Sequence, residues 1–322
     1  MAGPESIASE HHRVFSARVR QIELRTRGLV ESLFSGEYRS VFKGRGLEFS
    51  EVREYQPGDD IRSIDWNVTA RRGRLFIKQH EEERELTAML MVDLSGSQDF
   101  GTGFASNARI VSEIACILAL SAARNNDHVG LLVVTDRTEL FIPPDTGRRH
   151  ALRLIFELLS LKPAGRRTKL SPGLEFLAKV LRRRTAVFLI SDFLVDFEAD
   201  PRLPRIASRF SFQHDLVPIR LNDPRQMGLP DVGLVRVVDP ESGERRIVDT
   251  RHERTRAAYA KQTGEARKRL TRLFRELGLE VVEVGSEKDY VPVLAEFFRA
   301  RERTPGRRRG RMPLASGRGA LR

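Results

Sequence analysis

One cysteine and one tryptophan in 322 residues are the first constraints this sequence imposes. A lone Cys116 can close no internal disulfide, and no zinc-finger spacing occurs, so a cytoplasmic location is the default expectation. No apolar run reaches the roughly 18–20 residues that a membrane span needs. The longest, "IACILALSAA" at 114–123, falls well short. The opening "MAGPESIASEHHR" lacks the basic-then-apolar layout of a secretory signal. There is no Gly-x-x-x-x-Gly-Lys-Ser/Thr, so no phosphate-binding P-loop is expected. Gly-x-Ser-x-Gly is missing too, and the seven histidines have no triad-like placement. "GTGFAS" at 101–106 carries only part of a dinucleotide fingerprint and reads as a loop feeding a helix.

What is present describes a globular protein, with 40% hydrophobic and 31% charged residues, enough for one large domain or two modest ones. The net charge of +12 is uneven, because residues 301–322 hold eight Arg against one Glu, leaving 12 − 7 = +5 for the rest. That stretch is rich in Gly and Pro and has little to bury, so 301–322 is expected to be a disordered basic tail. Such a tail can hold nucleic acid by releasing counterions. The preferred reading is a solvated tail, since no aromatic-interleaved basic strand accompanies it.

Texture changes along the chain. Apolar residues at helical intervals in "RVFSARVRQIELRTRGLVESLF" predict an amphipathic helix within 1–37. Residues 38–85 alternate in short runs, "LEFSEVREY" and "RLFIKQH", around the turn "QPGDD", and are expected to be β-rich. From 86 to 300 strands and helices alternate, which predicts a doubly wound, mostly parallel α/β sheet. "LTAMLMVDL" and "TAVFLISDF" are continuously apolar, as central strands covered on both faces should be. "TELFIPP" is expected at the edge, and "GLVRVVDPESGERRIVD" as a hairpin.

Ligands of open α/β sheets sit at the carboxyl ends of the strands. Three features converge there: Asp93, Ser95 and Ser97 in "MVDLSGS", Thr168 in "KPAGRRTKLSPG", and Asp192 ending "VFLISD". All five are oxygen donors, which suits Mg²⁺ or Mn²⁺ in octahedral coordination with room for water. Two carboxylates balance the ion's charge and the hydroxyls fill positions without adding any. A helix N-cap cluster is the plainer alternative for 93–97. A phosphotransferase of the Asp-x-Asp kind would need a second carboxylate where Ser95 stands.

Asp-x-Ser-x-Ser, a later Thr and a later Asp resemble the metal-ion-dependent adhesion site of von Willebrand factor A domains. The resemblance implies that Asp93, Ser95, Ser97, Thr168 and Asp192 hold a metal whose open position binds an acidic residue of a protein ligand, without catalysis. The segment "GRGLEFSEVREYQPGDDIRSIDWNVTARRGRLFIKQHEEERE", running into "MLMVDLSGS", resembles the bacterial family known as domain of unknown function 58. That likeness spans roughly 30–300 and implies a von Willebrand A-like domain at 86–300. It also implies a partnership with a MoxR-type AAA+ ATPase. Gln98 departs from the Met frequent there, outside the five ligand positions. Many relatives also carry an N-terminal membrane hairpin that this chain lacks, which favours a soluble form.

Arg53, Asp59, Asp60, Arg62, Asp65, Trp66 and Arg71 pack charge densely. They read as a docking face anchored by Trp66, or as an ion-pair network pinning 38–85 to the domain, and the network is preferred. His11 and His12 belong to the terminus and are not expected to bind metal. The expectation is a non-enzymatic, metal-dependent adaptor or co-chaperone. The rivals are an Mg/Mn-dependent hydrolase, for which Asp99 is the nearest base, and a nucleic-acid binder acting through the tail.

Overall fold

The computed structural model describes residues 47–56, 59, 64–82, 86–96, 107–195, 197–223, 226, 228–238, 244–285 and 290–303. The expected helix within 1–37, His11 and His12 lie outside them. So do Asp60, Arg62, Ser97, Gln98, Asp99 and the tail from 304 onward.

Apolar runs dictate the centre. Strands β3 (Thr87–Asp93) and β6 (Ala186–Ser191) are buried along nearly their whole length, and they pair in parallel, Val92 opposite Ile190. Side chains alternate between the two faces of the sheet. Ala88, Leu90 and Val92 of β3 therefore join Ala186, Phe188 and Ile190 of β6 in one core layer. Met89, Met91, Val187 and Leu189 enter the other. The first layer packs under α2 (Asn107–Arg124), α3 (Arg148–Ser160) and α7 (Tyr290–Arg303). The second lies under α4 (Ser171–Val180), α5 (Leu203–Gln213) and α6 (Glu253–Glu276). At about 25 cal/mol per Å² of apolar surface, burial on both faces is the dominant favourable term for this sheet.

The six-stranded sheet also contains β4 (His128–Val134), β5 (Thr138–Asp145), β7 (Asp215–Asn222) and β10 (Val282–Gly285). Its order is β10-β7-β6-β3-β4-β5, parallel throughout except for β5, which runs antiparallel at the edge. This is the mostly parallel, doubly wound α/β sheet that the von Willebrand A resemblance implies. The chain leaves β3 towards β4 on one side and later returns to β6 on the other. A crevice at the carboxyl ends of β3 and β6 is the geometric consequence.

Two small antiparallel sheets stand apart. β1 (Leu47–Glu54) pairs with β2 (Phe76–Glu82), and β8 (Leu234–Val238) pairs with β9 (Arg245–Asp249). Between β1 and β2 lies α1 (Trp66–Arg72), capped by the Asp65 side chain and closed by Gly73 in the left-handed conformation.

Two features differ from the sequence expectation. Helix α5 gave no separate signal, since its apolar residues sit close behind the loop after β6; it covers the second core layer with Leu203, Ile206 and Phe210. Helix α7 continues to Arg303, into the stretch expected to be a tail. Arg301 is fixed there because its guanidinium meets Asp215 at 3.0 Å and Glu280 at 2.7 Å. Among the described residues, no helix is long and apolar enough to cross a membrane.

Candidate metal centre

Asp93 closes β3 with its side chain fully buried. Its Oδ1 accepts the Ser95 N–H at 2.9 Å, and its Oδ2 accepts the Ser191 hydroxyl at 2.6 Å. Alternation explains the second bond: Asp93 and Ser191 continue the Met89–Met91 and Val187–Leu189 rows of two adjacent strands, on the same face of the sheet. Ser191 was missed in the sequence. Its signal was this parity, legible only once the two strands are known to be neighbours.

Ser191 also accepts the Phe193 N–H at 2.8 Å. Phe193 is held at φ 53, in the left-handed region, which costs a non-glycine residue of order 1–3 kcal/mol unless its surroundings hold it there. That bend brings Asp192, 5% exposed, to the crevice. Asp192 Oδ1 accepts the Leu194 N–H at 3.2 Å, and Oδ2 accepts the Gln226 side-chain amide at 3.2 Å.

Thr168 arrives from 73 residues away. Its Oγ1 donates to Ser95 Oγ at 2.7 Å, and both hydroxyls are buried. Three anchors set the loop that delivers it. The Gly96 N–H donates to the Arg166 carbonyl at 2.7 Å, tying the loop to the tip of β3. Gly165 presses against the Thr135 and Asp136 side chains so closely that a Cβ would collide with them. Glu139 accepts the Gly165 N–H at 2.8 Å, the Ala164 N–H at 3.1 Å and the Thr135 hydroxyl at 2.7 Å. Burial pushes the Glu139 carboxyl up, but these donors and the Arg137 charge outweigh it and hold it below its ordinary value. On the far side of Thr168, Asp200 accepts the Leu170 and Ser171 N–H groups at 3.1 and 2.9 Å, capping α4. Neither Glu139 nor Asp200 carried a sequence signal, because each acts on a segment more than twenty residues away.

Asp93, Ser95 and Thr168 are thus joined by direct contacts at the end of β3, and Asp192 follows Ser191, the Asp93 partner, at the end of β6, while Ser97 lies outside the described residues. The donor set is hard oxygen throughout. Adjacent ligands of an octahedral ion with 2.0–2.1 Å bonds stand roughly 2.9 Å apart, close to the Ser95–Thr168 separation of 2.7 Å. Each carboxylate oxygen also has a second lone pair beyond the hydrogen bond described here. The residues fit Mg²⁺ or Mn²⁺. Among the described residues there is no group of three or more His, Cys, Asp or Glu able to hold a metal.

The upstream block divides. Asp59 accepts the Gln56 N–H at 2.8 Å within a turn, and Asp65 accepts the Asn67 and Val68 N–H groups at 3.0 and 3.2 Å as the cap of α1. Trp66 is 65% exposed and Arg71 is exposed beside it on the same short helix. Arg53 lies in β1.

The family described as "Protein of unknown function DUF58" matches residues 51–269, from within β1 into α6, and so spans Asp93, Ser95, Thr168 and Asp192. The chain belongs to that family. A relative in Mycobacterium tuberculosis, described as uncharacterized, is 30% identical over 290 residues, covering 89% of this chain and 90% of that one. The Bacillus subtilis protein YeaD is 31% identical over 109 residues, 34% of this chain and 25% of its own length. Among solved structures, BatB from Bacteroides thetaiotaomicron superposes with a TM-score of 0.43 at 13% identity, covering 68% of this chain and 100% of that one. A von Willebrand factor type A protein from Catenulispora acidiphila gives 0.35 at 11% identity, covering 69% and 43%. At such scores the fold of this DUF58 protein rests on its own strand order.

Proposed function

We propose that this DUF58 protein is a metal-dependent protein-binding adaptor, or co-chaperone, without a reaction of its own. Asp93, Ser95, Ser97, Thr168 and Asp192 would hold Mg²⁺ or Mn²⁺. The observation that carries the reading is the buried contact between the Ser95 and Thr168 hydroxyls at 2.7 Å, at the crevice of the sheet. A bound ion would supply a point of positive charge to which a carboxylate can coordinate.

The rest is the work of the chain. Ser191 and the Ser95 N–H fix the Asp93 carboxylate. Gln226 and the Leu194 N–H orient Asp192. Glu139 and Asp200 hold both flanks of the Thr168 loop. An arrangement with so many positioning bonds suits recognition, where geometry must persist while partners come and go. The open position would receive Glu or Asp from a partner or client, in the cytoplasm. The partner proposed, following the family resemblance, is a MoxR-type AAA+ ATPase, which hydrolyses the ATP.

The test is a pull-down of this chain with a MoxR-type AAA+ ATPase from the same organism, in Mg²⁺ and in EDTA. Capture should be lost in EDTA and in Thr168→Ala, with circular dichroism verifying that the variant folds. Capture indifferent to both would overturn the reading.

A further inference from the structure

The candidate metal centre occupies the carboxyl ends of the strands, and the opposite edge of the sheet carries charge of one sign. Residues 182–184, all Arg, lead into β6, while the end of α5 and His214 lead into its parallel neighbour β7. Ala186 stands opposite Asp215, and the Asp215 N–H donates to the Thr185 carbonyl at 3.0 Å. The buried His214 imidazole meets the Arg183 backbone. These contacts fix the end of α5 beside 182–184. Arg209 and Phe212, three residues apart near that end, share a face of α5. Lys179 adds a charge in the last turn of α4.

All five cations are exposed, and no ion pair holds any of them among the described residues. Arg202 at the start of α5 shows the contrast, since Glu175 takes it at 3.3 Å. Carboxylates on this edge are already answered. Arg301 holds both Asp215 and Glu280, and Glu276 shares the end of α6 with Arg272 and Arg275. Arg301 also fixes the end of α7, so residues 304–322, with six Arg and no Asp or Glu, continue from the same edge. The helix dipole accounts for Lys179 in the last turn of α4, and not for 182–184 or Phe212.

We infer that this edge docks on an anionic lipid surface, with Phe212 entering the interface and Lys179, Arg182, Arg183, Arg184 and Arg209 lying on the headgroups. Charge complementarity selects a polyanion, and guanidinium groups fork onto phosphate oxygens. Exposure then separates lipid from nucleic acid. Nucleic-acid strands follow a groove with aromatic side chains in succession. Phe212 is the one exposed aromatic of α4 and α5, and at 89% it stands almost wholly clear of the fold. Clefts of about 540 and 260 Å³ lie along α6, the larger beside Asp192, and none of these five cations lines either. A lone protruding ring among cations matches a surface that is anionic outside and apolar beneath. β6 spans five steps of about 3.3 Å, so the metal centre would stand roughly 16 Å from the docked edge, facing away from the lipid. The inference stands whether or not a metal binds.

The experiment pellets this chain with sucrose-loaded vesicles of phosphatidylcholine alone and of phosphatidylcholine with one third phosphatidylglycerol. The anionic vesicles should bind and the neutral ones should not, and rising NaCl should weaken the binding. Each cation near such a surface is worth about fivefold, so Arg182→Gln with Arg209→Gln should weaken binding roughly 25-fold. Phe212→Ser should weaken it about tenfold. All three side chains are exposed, so the variants should keep the circular dichroism spectrum of the parent. Equal pelleting with both vesicle types would overturn the inference, as would unchanged affinity in Phe212→Ser. Binding that ignores the Arg changes and is lost only when 304–322 are removed would overturn it too. An oligothymidylate bound more tightly than the anionic vesicles, through the same two Arg, would assign the face to nucleic acid and overturn the lipid reading.

Discussion

Two regions of the same sheet bury charged and polar groups in opposite ways. At the carboxyl ends of β3 and β6, the hydrogen bonds described to Asp93 and Asp192 come from backbone N–H groups, a hydroxyl and an amide. On the β7–β10 flank, Arg220 is buried and forks onto Glu283, which also takes Asn222, with Arg267 at 3.5 Å. Arg301 does the same with Asp215 and Glu280. Neutral donors fix direction without cancelling charge, whereas an Arg–carboxylate pair does both. In the first region the bonds described orient the carboxylates, and in the second the Arg pairs orient and neutralise them together.

The largest expected effect tests the first region. Asp93→Ala removes the acceptor of both the Ser95 N–H and the Ser191 hydroxyl in a fully buried place, which should cost about 3 kcal/mol in denaturant unfolding. On the metal-dependent reading, Mg²⁺ should raise the thermal midpoint of the unsubstituted protein, and Asp93→Ala should erase that rise. Mg²⁺ at about a hundred times its Kd stabilises a fold by about 2.7 kcal/mol.

Arg220→Met should cost about 2 kcal/mol, less than the roughly 3–5 kcal/mol of a fully buried pair, because Glu283 is 40% exposed and can be hydrated. The Mg²⁺ response should survive that change. If Arg220→Met abolished it, the two regions would be one coupled network and the contrast between them would fail.

Acid sharpens the same contrast. Burial pushes the Glu283 carboxyl up, but hydrogen bonds from Arg220 and Asn222, with the Arg220 and Arg267 charges, outweigh it and hold its pKa below 4.5. The unfolded chain then binds more protons than the fold in this window. The contribution is therefore complete above pH 4.5 and is lost as pH falls towards the folded value. Glu283→Gln should flatten that part of the unfolding profile, read by circular dichroism against pH.

The smallest effect belongs to His214, which is buried at the end of α5 against Phe210 with ring centroids 4.6 Å apart. Burial, helped by the Arg184 charge and opposed by a backbone hydrogen bond to Arg183, holds the imidazole below 6.5. A depressed histidine stabilises above its unfolded value and loses that contribution as pH falls below 6.5. His214→Phe should remove a shallow slope just under that pH and leave the Mg²⁺ response untouched.

The apolar runs of 86–94 and 185–191 were enough to predict two central strands, short alternating runs were enough for the strands at 47–54 and 76–82, and the hairpin expected in "GLVRVVDPESGERRIVD" is the β8–β9 pair. All five oxygen donors were read as one set because strand ends in an open sheet have a defined place for ligands, and four of the five are among the described residues. Helix α5 was hidden because its few apolar positions lie behind a loop that is itself apolar. Asp59 and Asp65, read in the sequence with the charged upstream block, each accept backbone N–H groups two or three residues away, a local task that composition does not separate from pairing.

By itself, then, the sequence determined which segments had to be buried, and that hard oxygen donors would stand where those segments end. Only the tertiary structure decided that Ser191 shares a face with Asp93, that Glu139 and Asp200 hold the Thr168 loop from either side, and that a cleft adjoins Asp192. The reason is physical. Apolar periodicity is a property of neighbours along the chain, whereas these contacts join segments up to 98 residues apart and exist only once strand order and register place them together.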